Sequence, residues 1–180
     1  HLSIRRQRQM CIRDSILWCS YARGREYMEA SQAKITRGLI HQDWQLYTET
    51  VSHALLGWSA GEPARRFAAF MRESVRQETA RVALGATREF DVTGLLPQVT
   101  CPTLVLYRRG ISWLTVDLAR NLASRIADAR LVVLEGESVA PYLGDTESAL
   151  SAIDEFLGEG EEAAAEAPPA GAFRTILFTD

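Results

Sequence analysis

Gly57-Trp58-Ser59-Ala60-Gly61 sets a serine between two glycines, the G-x-S-x-G spacing that lets a nucleophilic hydroxyl stand out from a sharp backbone turn. Acyl transfer from such a serine needs an imidazole to take its proton and a carboxylate to orient the imidazole. The histidines are His1, His41 and His53, and none follows His53. The serine must also close a buried strand on a strained strand-to-helix turn. Trp44 to Leu56, which lead into it, repeat their apolar positions with helical spacing instead. The segment therefore reads as a helix-to-helix turn bounded by glycines, and Ser59 stays a secondary candidate nucleophile. His41, before a helix start, and His53, within a helix, have no acid or metal partner at a recognised spacing and read as structural. Cys11, Cys19 and Cys101 are odd in number and irregularly spaced, which gives no metal or disulfide pattern and makes a reducing cytoplasm the expected location.

The elements around these residues fall into two rhythms. Ile16 to Tyr21 is a short apolar run that reads as a buried strand, and Ala22 to Ser31 reads as a loop. Asp43 is placed to cap a helix whose stripe is Trp44, Tyr47, Val51, Ala54 and Leu55. A second helix starts at Pro63 and carries Phe67, Phe70, Met71 and Val75; a third runs from Gln77 to Phe90 with Val82, Leu84 and Ala86. After this helical block, Pro102 to Tyr107 and Leu131 to Leu134 are continuous apolar strands. Helices Thr115 to Ile126 and Thr146 to Leu157 alternate with them, the last capped by Asp145 and stopped by Gly158. That order predicts an α/β fold with parallel strands covered on both faces. Residues 158–172, rich in Glu, Ala, Pro and Gly, read as a linker. Thr175 to Phe178 then read as a new strand ending at Asp180.

The 180 residues are 47% hydrophobic and 24% charged, which suits one globular domain with a sizeable core. The net charge is −3, and residues 1–15 hold Arg5, Arg6, Arg8 and Arg13 against Asp14 alone, so the rest is more acidic still. This gives no electrostatic footprint for nucleic acid. No apolar run approaches the ~20 residues of a membrane-spanning helix.

Leu96 to Leu157 resembles the C-terminal third of the α/β-hydrolase fold. The resemblance rests on Val99-Thr100-Cys101-Pro102-Thr103-Leu104-Val105-Leu106-Tyr107, on Ala129-Arg130-Leu131-Val132-Val133-Leu134-Glu135-Gly136, and on the ending Ile153-Asp154-Glu155-Phe156-Leu157. Residues 16–157 then form a partial hydrolase-like domain, with residues 43–95 as its helical cap. In that family a catalytic Asp follows the first of these strands and a catalytic His the second. Here Arg108-Arg109-Gly110-Ile111 puts Ile111 in the acid's place, and Gly136-Glu137-Ser138-Val139 puts Val139 in the place of the His. The resemblance thus implies a domain without its base or its orienting acid, whose own elbow would lie upstream of Ile16. Asp117, six residues beyond Ile111, reads as a solvated residue at a helix start. Trp18, Trp44, Trp58 and Trp113 are candidates to line a retained small-molecule pocket.

Residues 173–180, ending Phe178-Thr179-Asp180, resemble the first strand of a class III adenylate/guanylate cyclase domain. The resemblance implies that Asp180 holds Mg²⁺ or Mn²⁺, that the parent protein converts ATP or GTP to a cyclic nucleotide, and that it works as a homodimer. This stretch alone would need no cofactor. The expected function is that of a signalling protein in which a non-catalytic hydrolase-like domain precedes the cyclase. An active esterase using Ser59 or an upstream serine, and an interaction module joined to an unrelated domain, are the alternatives. Met10 to Ser15 resembles a peptide translated from sequencing-adapter DNA, so residues 1–15 are set aside from the fold.

Overall fold

The computed structural model describes residues 13–166. The expected linker residues 167–172, the expected strand 173–180 and Asp180 lie outside the described residues. The chain runs β1 (Ser15–Trp18), α1 (Gly24–Glu29), α2 (Ser31–Gln42), α3 (Trp44–Leu56), a 3₁₀ turn (Trp58–Ala60), α4 (Glu62–Ser74) and α5 (Gln77–Glu89). A second 3₁₀ turn (Leu96–Gln98) leads to β2 (Thr103–Arg108), α6 (Val116–Ala123), β3 (Ala129–Leu134) and α7 (Thr146–Glu166).

The three strands form a parallel sheet in the order β1-β2-β3. Ser15 pairs with Thr103 and Trp18 with Leu106, while Thr103 pairs with Ala129 and Arg108 with Leu134. β2 is central and buried along its whole length, which is why its sequence is a continuous apolar run and not an alternating one. Leu104 and Leu106 pack on one face against Leu134 and against Ala149 and Phe156 of α7. Val105 and Tyr107 pack on the other face, in a cluster with Tyr47 and Val51 of α3, Ile111 and Trp113 of the following loop, and Leu122 of α6. The helical block and α6 thus cover one face of the sheet, and α7 covers the other.

Local signals account for most of the boundaries. The Asp43 carboxylate accepts the Leu46 N–H at 2.9 Å and starts α3. Pro63 stands in the first turn of α4, where its missing N–H costs nothing. Asp145 caps α7 by accepting from the Ser148 N–H at 3.0 Å.

Three expectations are corrected. Ala22 to Ser31 is not a loop: α1 occupies Gly24–Glu29, and α2 follows at once. α1 is six residues long and has no side-chain cap, so local propensity does not mark it. It is held from outside, by the Tyr21–Tyr27 ring stack at 4.9 Å, by the buried Met28, and by the Gly24 N–H bonded to Phe90 O at 2.8 Å. Gly158 does not stop α7, which continues to Glu166. A glycine inside a helix costs only about 1 kcal/mol, and the Glu/Ala run that follows favours helix. Ser15, set aside with residues 1–15, is the first residue of β1. Among the described residues no helix is long and apolar enough to cross a membrane.

Candidate functional site

The C-terminal ends of the three strands come together with the loop that follows β3, and Arg108 organises that loop. Its side chain is 0% exposed at the end of β2. Nη1 donates to Ser138 O at 3.1 Å and to Ala140 O at 3.0 Å, and Nη2 donates to Asp145 O at 3.3 Å. The guanidinium carbon lies 5.1 Å from the centre of the Trp18 ring, a cation–π contact. A buried cation here meets carbonyl dipoles and an aromatic face, and no carboxylate is bonded to it among the described residues. The weak hydration of guanidinium makes Arg the residue that tolerates this. The fork spans residues 138–145, so one side chain fixes the course of the whole loop.

Val139 is in the middle of that course. Its N–H donates to Leu55 O at 2.7 Å, and its carbonyl accepts from Trp18 Nε1 at 2.7 Å. The position is tied by its backbone to α3 on one side and to β1 on the other. Ile111 is 3% exposed within the cluster of Tyr107 and Trp113, and Val139 packs against the same cluster. The structure therefore gathers Ile111 and Val139 at one apolar seam. Neither side chain can accept or donate a proton.

Ser59 is close to this loop but not on a strand-to-helix turn. It lies in the 3₁₀ turn Trp58–Ala60 between two helices, with Gly57 at φ 101° and Gly61 at φ 49°. Its hydroxyl makes a short hydrogen bond to Glu137 Oε1, and its N–H donates to the same oxygen at 3.2 Å. Gly57 suits its φ of 101°, and a Cβ there would stand 2.7 Å from the Glu137 side chain and push that carboxylate aside. Sequence reasoning does not single out Glu137, or Arg108 as a site residue. The available signal for Arg108 is a cation closing the buried run that starts at Thr103; nothing local marks its carbonyl partners.

The other candidates separate. His53 stacks on Trp58 with ring centres 5.9 Å apart, and its Nδ1 is buried without a hydrogen-bond partner. His41 is exposed on α2, with Nδ1 at 3.3 Å from Arg81 Nη1. Asp117 is exposed in the first turn of α6 and bridges Arg120 at 3.1 Å. Trp58 is 62% exposed, whereas Trp113 is buried, Trp44 stacks on Tyr47, and Trp18 carries Arg108. Among the described residues no cluster of three or more His, Cys, Asp or Glu is arranged to hold a metal ion.

The arrangement matches solved structures although its sequence does not. No family model matches the chain, and no curated protein matches its sequence. A hydrolase from Oleispira antarctica superposes with a TM-score of 0.68 at 15% identity, covering 81% of this chain and 56% of the other. The esterase EaEST from Exiguobacterium antarcticum gives 0.66 at 16% identity, with 81% and 57% covered. A thermophilic esterase gives 0.67 at 17% identity, with 88% and 61% covered. The chain has a partial α/β-hydrolase fold. It spans a little over half the length of those structures, and the likeness at these identities is one of fold alone. Within the hydrolase fold, β2 and β3 are the strands whose following loops carry Ile111 and Val139.

The contact between the Gly57–Gly61 turn and Glu137 joins the helical block to the loop after β3, and it depends on pH. The Ser59 hydroxyl, then the Ser59 N–H, hold the Glu137 carboxyl below its ordinary value of 4.5, with a smaller contribution from the Trp58 N–H and a small opposing effect of burial. A carboxyl depressed on folding stabilises the folded state above its unfolded pKa and loses that contribution as pH falls through its folded value. In a ¹³C carboxyl titration, Ser59→Ala is expected to move the Glu137 midpoint up toward 4.5. The stability gap between the two proteins should shrink as pH falls below that value. An unmoved midpoint would remove the Ser59 hydroxyl as its cause.

Proposed function

We propose that this chain carries a non-catalytic hydrolase-like domain that senses a small molecule or organises a dimer, joined to a class III cyclase domain that begins at residues 173–180. One observation carries the first half of the reading. Ile111 and Val139, at the positions where the family's acid and base belong, are packed into an apolar seam, and Val139 is tied by its backbone to Leu55 and Trp18. An imidazole on that backbone would lack the carboxylate that sets its tautomer. The second half rests on Thr175 to Asp180 as sequence. On this reading the parent protein forms a cyclic nucleotide from ATP or GTP, with Asp180 among the residues that hold Mg²⁺ or Mn²⁺.

The test uses the parent protein in two assays. With a p-nitrophenyl ester it should give no turnover above the uncatalysed rate. With ATP and Mn²⁺ it should form cyclic product, lost by at least ~10²-fold in Asp180→Ala because metal-bound charge stabilises the transferring phosphoryl group. Ester turnover would establish the esterase reading instead, through Ser59 where Ser59→Ala abolishes it and through an upstream serine where it does not. No cyclic product from either nucleotide would leave an interaction module beside an unrelated domain.

A further inference from the structure

Two neighbouring cavities lie in the helical block, and together they describe a ligand more narrowly than the fold does. The inner one, about 180 Å³, is walled by Tyr27, Thr36, Tyr47, Val51 and Trp113, with Arg37 and Leu84 at one side. The outer one, about 310 Å³, is an open groove between α2 and α5 that shares Arg37 and Leu84 with the inner and adds His41, Arg81 and Arg88. Arg37 and Leu84 therefore form the partition between an aromatic chamber and a cationic mouth.

The inner chamber has the size and the surfaces for one aromatic ring. Apolar cavities of ~150 Å³ take benzene. Tyr27, Tyr47 and Trp113 give it an aromatic lining, in which Tyr27 and Trp113 pack on one another with centres 5.8 Å apart at 50°, and a further ring packs on such a cluster edge-to-face or offset. Its lining also includes one buried polar group that the fold does not use. Trp113 Nε1 is buried with no hydrogen-bond partner. Burial pushes the Tyr27 phenol up to about 12, helped by the neighbouring Tyr21 and Tyr47, and burial raises Tyr47 as well. Both hydroxyls therefore stay protonated donors. An indole N–H and two phenols favour an acceptor-bearing ligand.

The partition and the mouth set its charge. Arg37 is half-buried and makes no hydrogen bond or ion pair with any described residue. Arg88 is likewise unpaired on the rim among the described residues, and Arg81 is bridged by Glu78 at 3.0 Å. A groove with three guanidinium groups on an apolar floor concentrates anions at its opening. A planar guanidinium at the chamber wall is matched in geometry to a carboxylate.

We propose that this chamber binds a small monocyclic aromatic carboxylate of the benzoate class, its ring against Tyr27, Tyr47 and Trp113 and its carboxylate on Arg37. The inference rests on the ligand-sensing reading of the domain and narrows it to a ligand class. The outer groove is the entry path, and anions reach Arg37 along Arg81 and Arg88.

The test titrates 4-fluorobenzoate into the full 180-residue chain, followed by ¹⁹F shift and by tryptophan fluorescence, with 4-fluorobenzyl alcohol as the uncharged control. Binding of the acid with a dissociation constant below ~1 mM, at least ~10-fold tighter than the alcohol, is expected. Arg37→Gln should weaken the acid by at least ~10-fold and leave the alcohol unchanged, since it removes one charge-assisted contact. Arg37→Lys, which keeps the charge, should recover part of the loss. Val51→Phe should abolish binding of both probes by filling the chamber. Each variant is compared by its melting transition, so that loss of fold is told from loss of site. Equal binding of acid and alcohol, or an Arg37→Gln protein that binds like the parent, overturns the inference and leaves the sensor reading in place. Hydrolysis of p-nitrophenyl benzoate would overturn the non-catalytic reading instead.

Discussion

Replacing Arg108 by methionine is expected to destabilise the domain by about 3–5 kcal/mol, the scale of leaving its buried carbonyl partners without donors. Two opposed effects decide the size. Removing the guanidinium relieves the cost of burying a cation that is bonded to no carboxylate among the described residues. It also strips the donors from the buried Ser138 O and Ala140 O and from the part-buried Asp145 O, and an unsatisfied buried acceptor costs about 1–3 kcal/mol. The two buried acceptors outweigh one weakly hydrated cation, and loss of the Trp18 face adds to the deficit. Methionine fills much of the volume, so the effect is not one of cavity alone. Arg108→Lys is the sharper variant: it keeps the charge, cannot span three carbonyls, and should be at least as damaging as methionine. At roughly 2–4 °C per kcal/mol for a chain of this size, melting should fall by roughly 6–20 °C. Amide exchange should rise first at Val139, whose N–H bond to Leu55 depends on the loop's course. An Arg108→Met protein within about 1 kcal/mol of the parent would show that the loop holds without the fork.

Gly24→Val is expected to be comparably severe, for a steric reason. A Cβ at Gly24 would stand 1.6 Å from Thr87 O and 2.7 Å from Thr87 C. Both are backbone atoms of α5, so no rotamer change relieves the clash, and α1 must move away. That movement breaks the Gly24 N–H bond to Phe90 O and the Arg23–Asp91 pair at 3.1 Å. Overpacking of this kind costs about 1–3 kcal/mol and occasionally more, and a 1.6 Å approach to a backbone oxygen puts Gly24→Val at the upper end. The consequence reaches the aromatic chamber, because α1 supplies Tyr27 and α5 supplies Leu84 to its walls. Gly24→Ala should weaken 4-fluorobenzoate binding even where the domain still melts cooperatively, and Gly24→Val should abolish it. Unchanged binding in both variants would mean that α1 does not shape the chamber.

Much of the fold is legible in the sequence because the signals are local. Asp43 and Asp145 mark helix starts through bonds within one turn of themselves, Pro63 marks one through its missing N–H, and each does so in the fold. The run Thr103 to Tyr107 is almost wholly apolar because a central parallel strand is covered on both faces. Ile111 and Val139 likewise deny a proton-transfer role by residue type alone, since side-chain chemistry does not depend on the fold. The helical spacing ahead of Ser59 is enough to put it in a helix-to-helix turn, where it is found.

Tertiary structure decided the rest. Helix α1 exists because Gly24 lets it rest on α5, a contact between segments far apart in the chain that no local pattern encodes. The Ser59–Glu137 bond, the Arg108 fork and the Val139 stitch also join distant segments. The fork and the stitch use backbone carbonyls and N–H groups, which every residue type offers and no sequence pattern distinguishes. The aromatic chamber follows the same logic: Tyr27, Tyr47 and Trp113 are ordinary core residues until helices and a loop turn them toward one space. Residue type determined that Ile111 and Val139 cannot move a proton, because that is a property of single side chains. Which groups meet was decided by packing, because it depends on chain paths that only the whole fold specifies.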